Sequence, residues 1–511
     1  MKCMKGKNSV MALMALALLA IPIGMPDDAA ADMNVVGSTH GQAYQGVANP
    51  DGGPAASIPL SLCDVGGPTP DRYQNAANIA DLTDPLILMP ANTAIVWRCT
   101  VNGTPNFLFR YTGGFTGKAY GNMKAALGST ASKFTSIVPG GAGCVAVAGG
   151  LKTDPGTGRT YNSFQNCTER VLVPANFGTG DTRGTDFQPS MCDPSSNPPC
   201  AQPITDTGIT SFPITATPFV VIVGNGVQKC TPGSKVAAGK ISLTRVQVEA
   251  IFSGQVATWN QLGYCVYPVA PLTPPDSSLG AGAGALSPGA AFNGGINQSI
   301  VTCSRPTTAG TRIIYDAVFH KDVPEIAFGT VGPPFVGDFN YLARTVSDGL
   351  ACVQGRSAAP VSQANMNAIV YNRADEGADP LEFSAGNVGR MRGGYPVPID
   401  GLLPSDYDPP ANVLNPSDAD RAVSQKEFRC GRYLFWSDWV GIQRTVPDAN
   451  QALWNEYVAA IGTLLPKTRS GYFWARNVRQ PGQTVNTEMF VQKGQTAGPI
   501  TFNDGDHPAC Y

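Results

Sequence analysis

Histidine is nearly missing from this chain: three residues among 511, at positions 40, 320 and 507. No C-x-x-C pair occurs either, so a zinc site built from Cys and His has almost no ligands to draw on. Charge is also sparse, at 14% of residues with a formal net charge of −2. That balance gives no electrostatic case for nucleic acid. No G-x-S-x-G nucleophile elbow is present, and the His-Asp content of "FNDGDH" near the C-terminus is too thin for a phosphatase-like metal site. Catalysis is therefore not expected, nor is any metal or cofactor. No internal repeat appears, which excludes a solenoid or propeller. Beyond the first residues no apolar run is long enough to span a bilayer.

What the chain does have is glycine (58) and proline (43), with 43% hydrophobic residues. Its length is enough for two or three domains with real cores, and its composition implies many turns and long surface loops. The opening "MKCMKGKNSVMALMALALLAIPIGMPDDAAA" sets Lys2, Lys5 and Lys7 before an apolar run and a small-residue site ending at Ala31. It reads as a cleaved signal peptide, residues 1–31. Cys3 precedes the apolar run, so it is not a lipid-attachment cysteine. Removing three Lys and two Asp takes the formal charge from −2 to −3, since −2 − (3 − 2) = −3. Removing Cys3 from the 13 cysteines leaves 13 − 1 = 12, an even number in a chain expected to leave the cytoplasm. Disulfides follow, and neighbours are expected to pair in order: Cys63–Cys99, Cys144–Cys167, Cys192–Cys200, Cys230–Cys265, Cys303–Cys352 and Cys430–Cys510.

Two stretches read as surface excursions: the proline-rich loop 193–208 and the Pro/Gly/Ala-rich insertion 268–295. Between them "FPITATPFVVIVGNGV" contains an uninterrupted "FVVIV" that suits a strand buried on both faces. In "ISLTRVQVEAIFSGQVATWNQL" that follows, Thr244 and Gln247 form a capping box. Val248, Ile251 and Phe252 make one apolar stripe, and Gly254 stops the helix. A turn carrying Trp259 comes next. In "CSRPTTAGTRIIYDAVFHK", Gly310 and Thr311 stand at the start of a helix whose expected buried stripe is Ile314, Ala317 and Val318. The free N–H groups and positive dipole end then face the loop. Arg305 offers a planar fork for two oxygens of a tetrahedral anion.

The order "PFVVIVGNGV", "ISLTRVQVEAIFSGQVATWNQL", "SIVTCSRPTTAGTRIIYDAV" is similar to the second lobe of the periplasmic phosphate-binding proteins that feed phosphate ABC transporters. The resemblance implies an α/β fold of the type II periplasmic binding protein kind: two lobes, a hinge and a central ligand cleft. It spans roughly 32–465 and is strongest over 216–320. The implied division is lobe one over 32–215, lobe two over 216–400, and a return to lobe one with a C-terminal extension over 401–511. "SAGNVGRM", "VPIDGLLPS" and "RYLFWSDWVGIQ" resemble the returning segments.

Carried over residue by residue, the family's phosphate contacts fall on Arg305, Gly310 and Thr311, with Ala309 where a serine is common. "ANFGTGDTRGTDF" resembles the stretch whose carboxylate accepts the proton of bound hydrogen phosphate. That role maps to Asp181, with Gly180 in place of a serine. "MNVVGSTHGQAYQ" resembles the first glycine-threonine loop, giving Ser38 and Thr39, and "RYTGGFTGKAYGNMKAA" the second, giving Thr112 and Gly113. His40 stands where an aromatic is frequent; it either adds charge or packs. The implied function is an exported monomeric protein that captures phosphate or a related oxyanion, with an ABC permease as membrane partner. Two other readings stay open: a secreted, disulfide-stapled scaffold or adhesion protein of the same fold, and a secreted hydrolase.

Overall fold

The structure, a computed structural model, describes residues 32–502 and Cys510 with interruptions. Outside it lie 1–31, 46–56, 83–87, 90–92, 126–132, 187–206, 231–238, 267–298, 306–308, 320–339, 343–366 (Gly349 excepted), 375–393, 405–417, 464–473, 494–499, 503–509 and a few shorter positions. The signal-peptide reading, most of loop 193–208, the insertion 268–295, "SAGNVGRM", His320, His507, Cys192, Cys200 and Cys352 fall there. Among the described residues no helix is long and apolar enough to cross a membrane.

The principal strands are β1 (Asp32–Ser38), β2 (Asp71–Asn75), β3 (Ala94–Val101), β4 (Thr104–Gly114), β5 (Thr160–Cys167), β6 (Phe177–Gly180), β7 (Ile209–Gly224), β8 (Val301–Ser304), β9 (Asn340–Leu342), β10 (Ala368–Arg373), β11 (Gly394–Val397), β12 (Trp436–Arg444) and β13 (Ala475–Val478). The principal helices are α1 (Thr116–Ala125), α2 (Arg245–Phe252), α3 (Gly310–Phe319) and α4 (Gln451–Thr463). One mixed sheet runs in the order β9-β8-β10-β7-β12-β6-β1-β4-β3-β2-β5, with β11 and β13 also paired to β7. β1 is parallel to β4 and β6, and β8 is parallel to β9 and β10. The α/β class expected from the sequence is what the chain forms.

β7 joins the two arms of this sheet. Its first part, Ile209 to Pro218, pairs with β12; from Phe219 onward it pairs with β10 and β11 instead. Pro218 has no N–H to give a ladder, and it sits where the strand changes partners. The strand is buried almost throughout from Phe212, as "FVVIV" predicted. One face packs Val220 and Ile222 into a core with Val301, Val370, Trp439, Trp454 and Ile461. The other packs Phe219, Val221 and Val223 with Val248, Ile251, Phe252, Trp259, Ile314 and Tyr315. The alternation of a strand thus feeds two cores at once.

α2 forms as read. Thr244 Oγ1 accepts from the Gln247 N–H (3.2 Å), Gln247 Oε1 accepts from the Thr244 N–H (2.8 Å), and Gly254 ends the helix at φ 73°. Burying Val248, Ile251 and Phe252 contributes roughly 1.5–3 kcal/mol each. Trp259 is buried and its indole N–H donates to the Asn367 carbonyl (2.8 Å).

Four of the expected disulfides are formed: Cys63–Cys99, Cys144–Cys167, Cys230–Cys265 and Cys430–Cys510. Cys303 is also disulfide-bonded. The C-terminal extension, for which the sequence offered no counterpart, is part of the core. β13 pairs with β7, Trp474 and Val491 are fully buried, and Glu488 receives ion pairs from Arg421, Arg429 and Arg476.

Candidate functional site

The carboxyl ends of parallel strands from both arms meet at one place, which is where open α/β sheets hold ligands. β1 ends at Ser38 and β6 at Gly180, and their parallel register sets these ends side by side. From the other arm, β8 leads into Arg305 and β10 ends at Arg373, again on adjacent parallel strands. Asp181 follows β6 directly. Its backbone N–H donates to Thr116 Oγ1 (2.9 Å), the first residue of α1. α3 begins against it: a Cβ built on Gly310 would stand 2.5 Å from Thr116 Oγ1 and 2.6 Å from Asp181 Cβ. Only a glycine lets the N-terminus of α3 come this close.

The cluster is dry. Ser38, Thr116, Thr311, Arg305 and Arg373 are all buried, and Asp181 is 9% exposed. Burial pushes the Asp181 carboxyl up from its ordinary value; the Arg373 guanidinium, hydrogen bonds from Ser38 and Thr116, and Arg305 oppose that shift. Asp181 Oδ1 has no hydrogen-bond partner among the described residues. A buried carboxylate oxygen left so costs about 1–3 kcal/mol, so it marks a place prepared for a donor.

Ser38 is fixed from two sides. Its carbonyl accepts from the Tyr111 hydroxyl, and its Oγ accepts from the Trp439 indole N–H (3.2 Å). An oxygen that accepts from the indole keeps its own proton for a partner in the site. Arg305 is held by its backbone N–H, which donates to the Tyr371 hydroxyl (3.1 Å). Arg312 has a different fate: it pairs with Asp316 one turn on (2.6 Å), both side chains buried.

α3 itself departs from the expected stripe. Val318, expected inside, is only partly buried, whereas Ile313 and Phe319 are buried. The helix lies between two cores and so is covered on nearly every side. Ile313 packs with Val36, Ala119, Tyr120 and Val440 of the first arm, and Ile314, Tyr315 and Phe319 pack in the second.

Of the expected residues, Ser38, Asp181, Arg305, Gly310 and Thr311 are brought together, and Thr39 opens the short turn Thr39–Tyr44 after β1. Thr112 and Gly113 are engaged elsewhere. The Thr112 hydroxyl donates to the Thr135 carbonyl (2.9 Å), and the Gly113 N–H donates to the Thr93 carbonyl (2.6 Å). Thr116 stands nearer the cluster. "Thr-Gly" recurs at 116–117 in the same quoted stretch, and a hydroxyl at a helix start was the available signal. Arg373 has no such local signal, since only the sheet topology puts it beside Arg305.

His40 packs rather than adding charge. Its ring stacks on Trp474 (4.3 Å between centroids) and Trp439 (5.0 Å), and Nε2 lies 3.4 Å from Thr217 Oγ1. Burial, and then Arg373, hold its pKa well below the usual value. The folded protein keeps His40 neutral while the unfolded chain protonates it below about pH 6.5. Its contribution to stability is thus complete above that pH and is lost as pH falls, by up to about 1.4 kcal/mol per pH unit. His40→Phe is expected to flatten the acid side of a melting-temperature profile between about pH 6.5 and 5. The buried carboxylates, common to both proteins, cancel in the comparison. Parallel profiles would show that the ring is protonated in place.

Neither a family model nor a curated protein matches the chain. Solved structures do resemble it. An ABC-type phosphate transport receptor from Vibrio cholerae is 12% identical over 57% of this chain and 79% of its own (TM-score 0.29). A phosphate binding protein from Stenotrophomonas maltophilia is 11% identical over 60% and 72% (TM-score 0.26). A human phosphate binding apolipoprotein is 12% identical over 84% and 94% (TM-score 0.33). At these identities and TM-scores the likenesses carry no argument about the ligand of this chain.

Proposed function

We propose that this protein captures phosphate, or a closely related protonated tetrahedral oxyanion, between the two arms of its sheet. The observation that carries the reading is Asp181 Oδ1: a buried carboxylate oxygen without a hydrogen-bond partner among the described residues, set among positive groups. Arg305 and the opening N–H groups of α1 and α3 supply donors and positive potential. A carboxylate in such a place repels a fully deprotonated anion but accepts the hydrogen of a protonated one. The same atoms do not form a nucleophile and base, so binding rather than turnover is the chemistry they support. The disulfides fit an exported chain, periplasmic or secreted, and delivery to a membrane permease is the role this architecture suits. Ligand bridging both arms stabilises the closed form, which a permease can recognise.

Asp181→Asn tests the reading through selectivity. Asparagine offers a donor where the carboxylate only accepts, so the variant should admit sulfate while phosphate affinity changes less. Calorimetric competition between phosphate and sulfate on both proteins reads this directly. Equal phosphate-to-sulfate ratios would reduce Asp181 to a turn residue. Absence of heat with phosphate, sulfate, arsenate and molybdate in the wild type would leave a scaffold of this fold.

A further inference from the structure

Trp439 lies on β12, and its indole reaches past β6, the strand between β12 and β1, to donate its N–H to Ser38 Oγ (3.2 Å). Antiparallel pairing sets Val440 against Gly180, so Trp439 stands beside the end of β6 from which Asp181 leads. The indole is buried, and His40 and Tyr44 both stack on it with ring centroids 5.0 Å away. It cannot turn its N–H elsewhere without breaking that stack. Ser38 in turn hydrogen-bonds the Asp181 carboxyl. Resting on the reading above, we infer that Trp439 is a positioning residue for selectivity: its N–H holds the Ser38 hydroxyl as a donor to Asp181, which leaves that carboxylate to accept from an anion carrying its own proton.

An indole can only donate, so Ser38 Oγ accepts from it, and the single proton of Ser38 points away from the ring. A hydroxyl that accepts a hydrogen bond becomes a stronger donor. Thr116, the second hydroxyl bonded to Asp181, is polarised in the same sense: its Oγ1 accepts from the Asp181 backbone N–H (2.9 Å) and keeps its own proton to give. Two hydroxyls set to donate stabilise a carboxylate, against the burial that favours the protonated acid. With Ser38 free to turn, Asp181 would hold a proton more readily, give it to a ligand, and admit an anion that has none. The charged groups about Asp181 do not depend on the indole. Arg305 and Arg373 act on it from the second arm, Arg183 pairs with Asp438, His40 is neutral, and burial keeps Tyr111 protonated.

Trp439→Phe keeps a ring against His40 and Tyr44 and removes the N–H. Calorimetry with inorganic phosphate and with sulfate should show the phosphate-to-sulfate affinity ratio falling about tenfold. Sulfate binding to the variant should take up about one proton, read from the heat in buffers of different ionisation enthalpy. A purely structural change would weaken both anions alike and move no proton. Ser38→Ala should give the same fall, and adding Trp439→Phe to it should lower the ratio no further. Benzothienylalanine at position 439, which has the outline of the indole with sulfur in place of the N–H, takes over the test if Trp439→Phe does not fold. An unchanged ratio, an equal loss of both anions, or a further fall in the double variant would overturn the role of Trp439 and leave the proposed function standing. If the wild type binds neither anion, the reading on which the inference rests fails first.

Discussion

Arg305→Ala is expected to lower phosphate affinity by about 10²–10⁴-fold. The guanidinium can give two charge-assisted hydrogen bonds worth roughly 1.5–3 kcal/mol each, and 1.4 kcal/mol is a factor of ten. The loss belongs to Arg305 and not to the nearby Arg312, because Arg312, seven residues on and within α3, is already paired with Asp316. Removing Arg305 also strips Asp181 of one of the two guanidinium charges that act on it. The carboxyl should therefore move further up, and the ligand-free protein should hold its proton to higher pH. Titration calorimetry with phosphate measures the first effect, and carboxyl NMR titration the second. Undiminished affinity would take Arg305 out of the site.

The second large effect is expected at Gly310. A methyl group there has no room where α3 meets the first arm, because Thr116 and Asp181 of that arm already occupy its space. Neither can yield as a flexible chain end could: Thr116 begins α1, and the nearest Asp181 atom is its Cβ. Gly310→Ala should hold α3 away from the first arm. Overpacking of this kind costs about 1–3 kcal/mol, so affinity should fall roughly 5–150-fold. Small-angle scattering should show a larger radius of gyration for the variant with saturating phosphate than for the wild type. An unchanged radius with unchanged affinity would mean that the arms do not close on the glycine. The prediction separates shape from chemistry, since no hydrogen-bonding group is removed.

The parts of this molecule that could be read in advance are those whose cause is local. The capping box at Thr244 and Gln247, the run "FVVIV" and the helix start at Gly310 each rest on a few consecutive residues, and each appears where expected. The cysteine pairing was not local in this sense: four of the six pairs expected between neighbours are formed among the described residues, at separations from 23 to 80 residues. The stripe on α3 was not legible: Val318 and Phe319 exchanged roles because a second core covers the helix from the far side. Thr112 and Thr116 illustrate the limit at the site. Both are hydroxyls beside glycines in one quoted stretch, and only the pairing of β4 decides which one is spent inside the sheet. Arg373 lay beyond reach altogether, as its neighbour Arg305 is brought to it by parallel pairing of β8 and β10. His40 could be weighed both ways from the sequence, because the two tryptophans against it arrive from positions 439 and 474.

The partner exchange at Pro218 also governs how the chain can assemble. Thr217 pairs with Ser437, a separation of 437 − 217 = 220 residues. At roughly 5–20 residues per second, β7 leaves the ribosome about 10–45 s before its antiparallel partner exists. Its second half waits less, since Val220 pairs with Asn372, 372 − 220 = 152 residues on; until then this apolar strand has both edges bare, a template for pairing with other chains. Such non-local pairing also makes the sheet slow to close. The central strand that unites the finished molecule is thus the last to be satisfied and the first to aggregate. Yield on recombinant production should be limited by how well this one segment is kept apart from its copies, more than by the stability of the folded state.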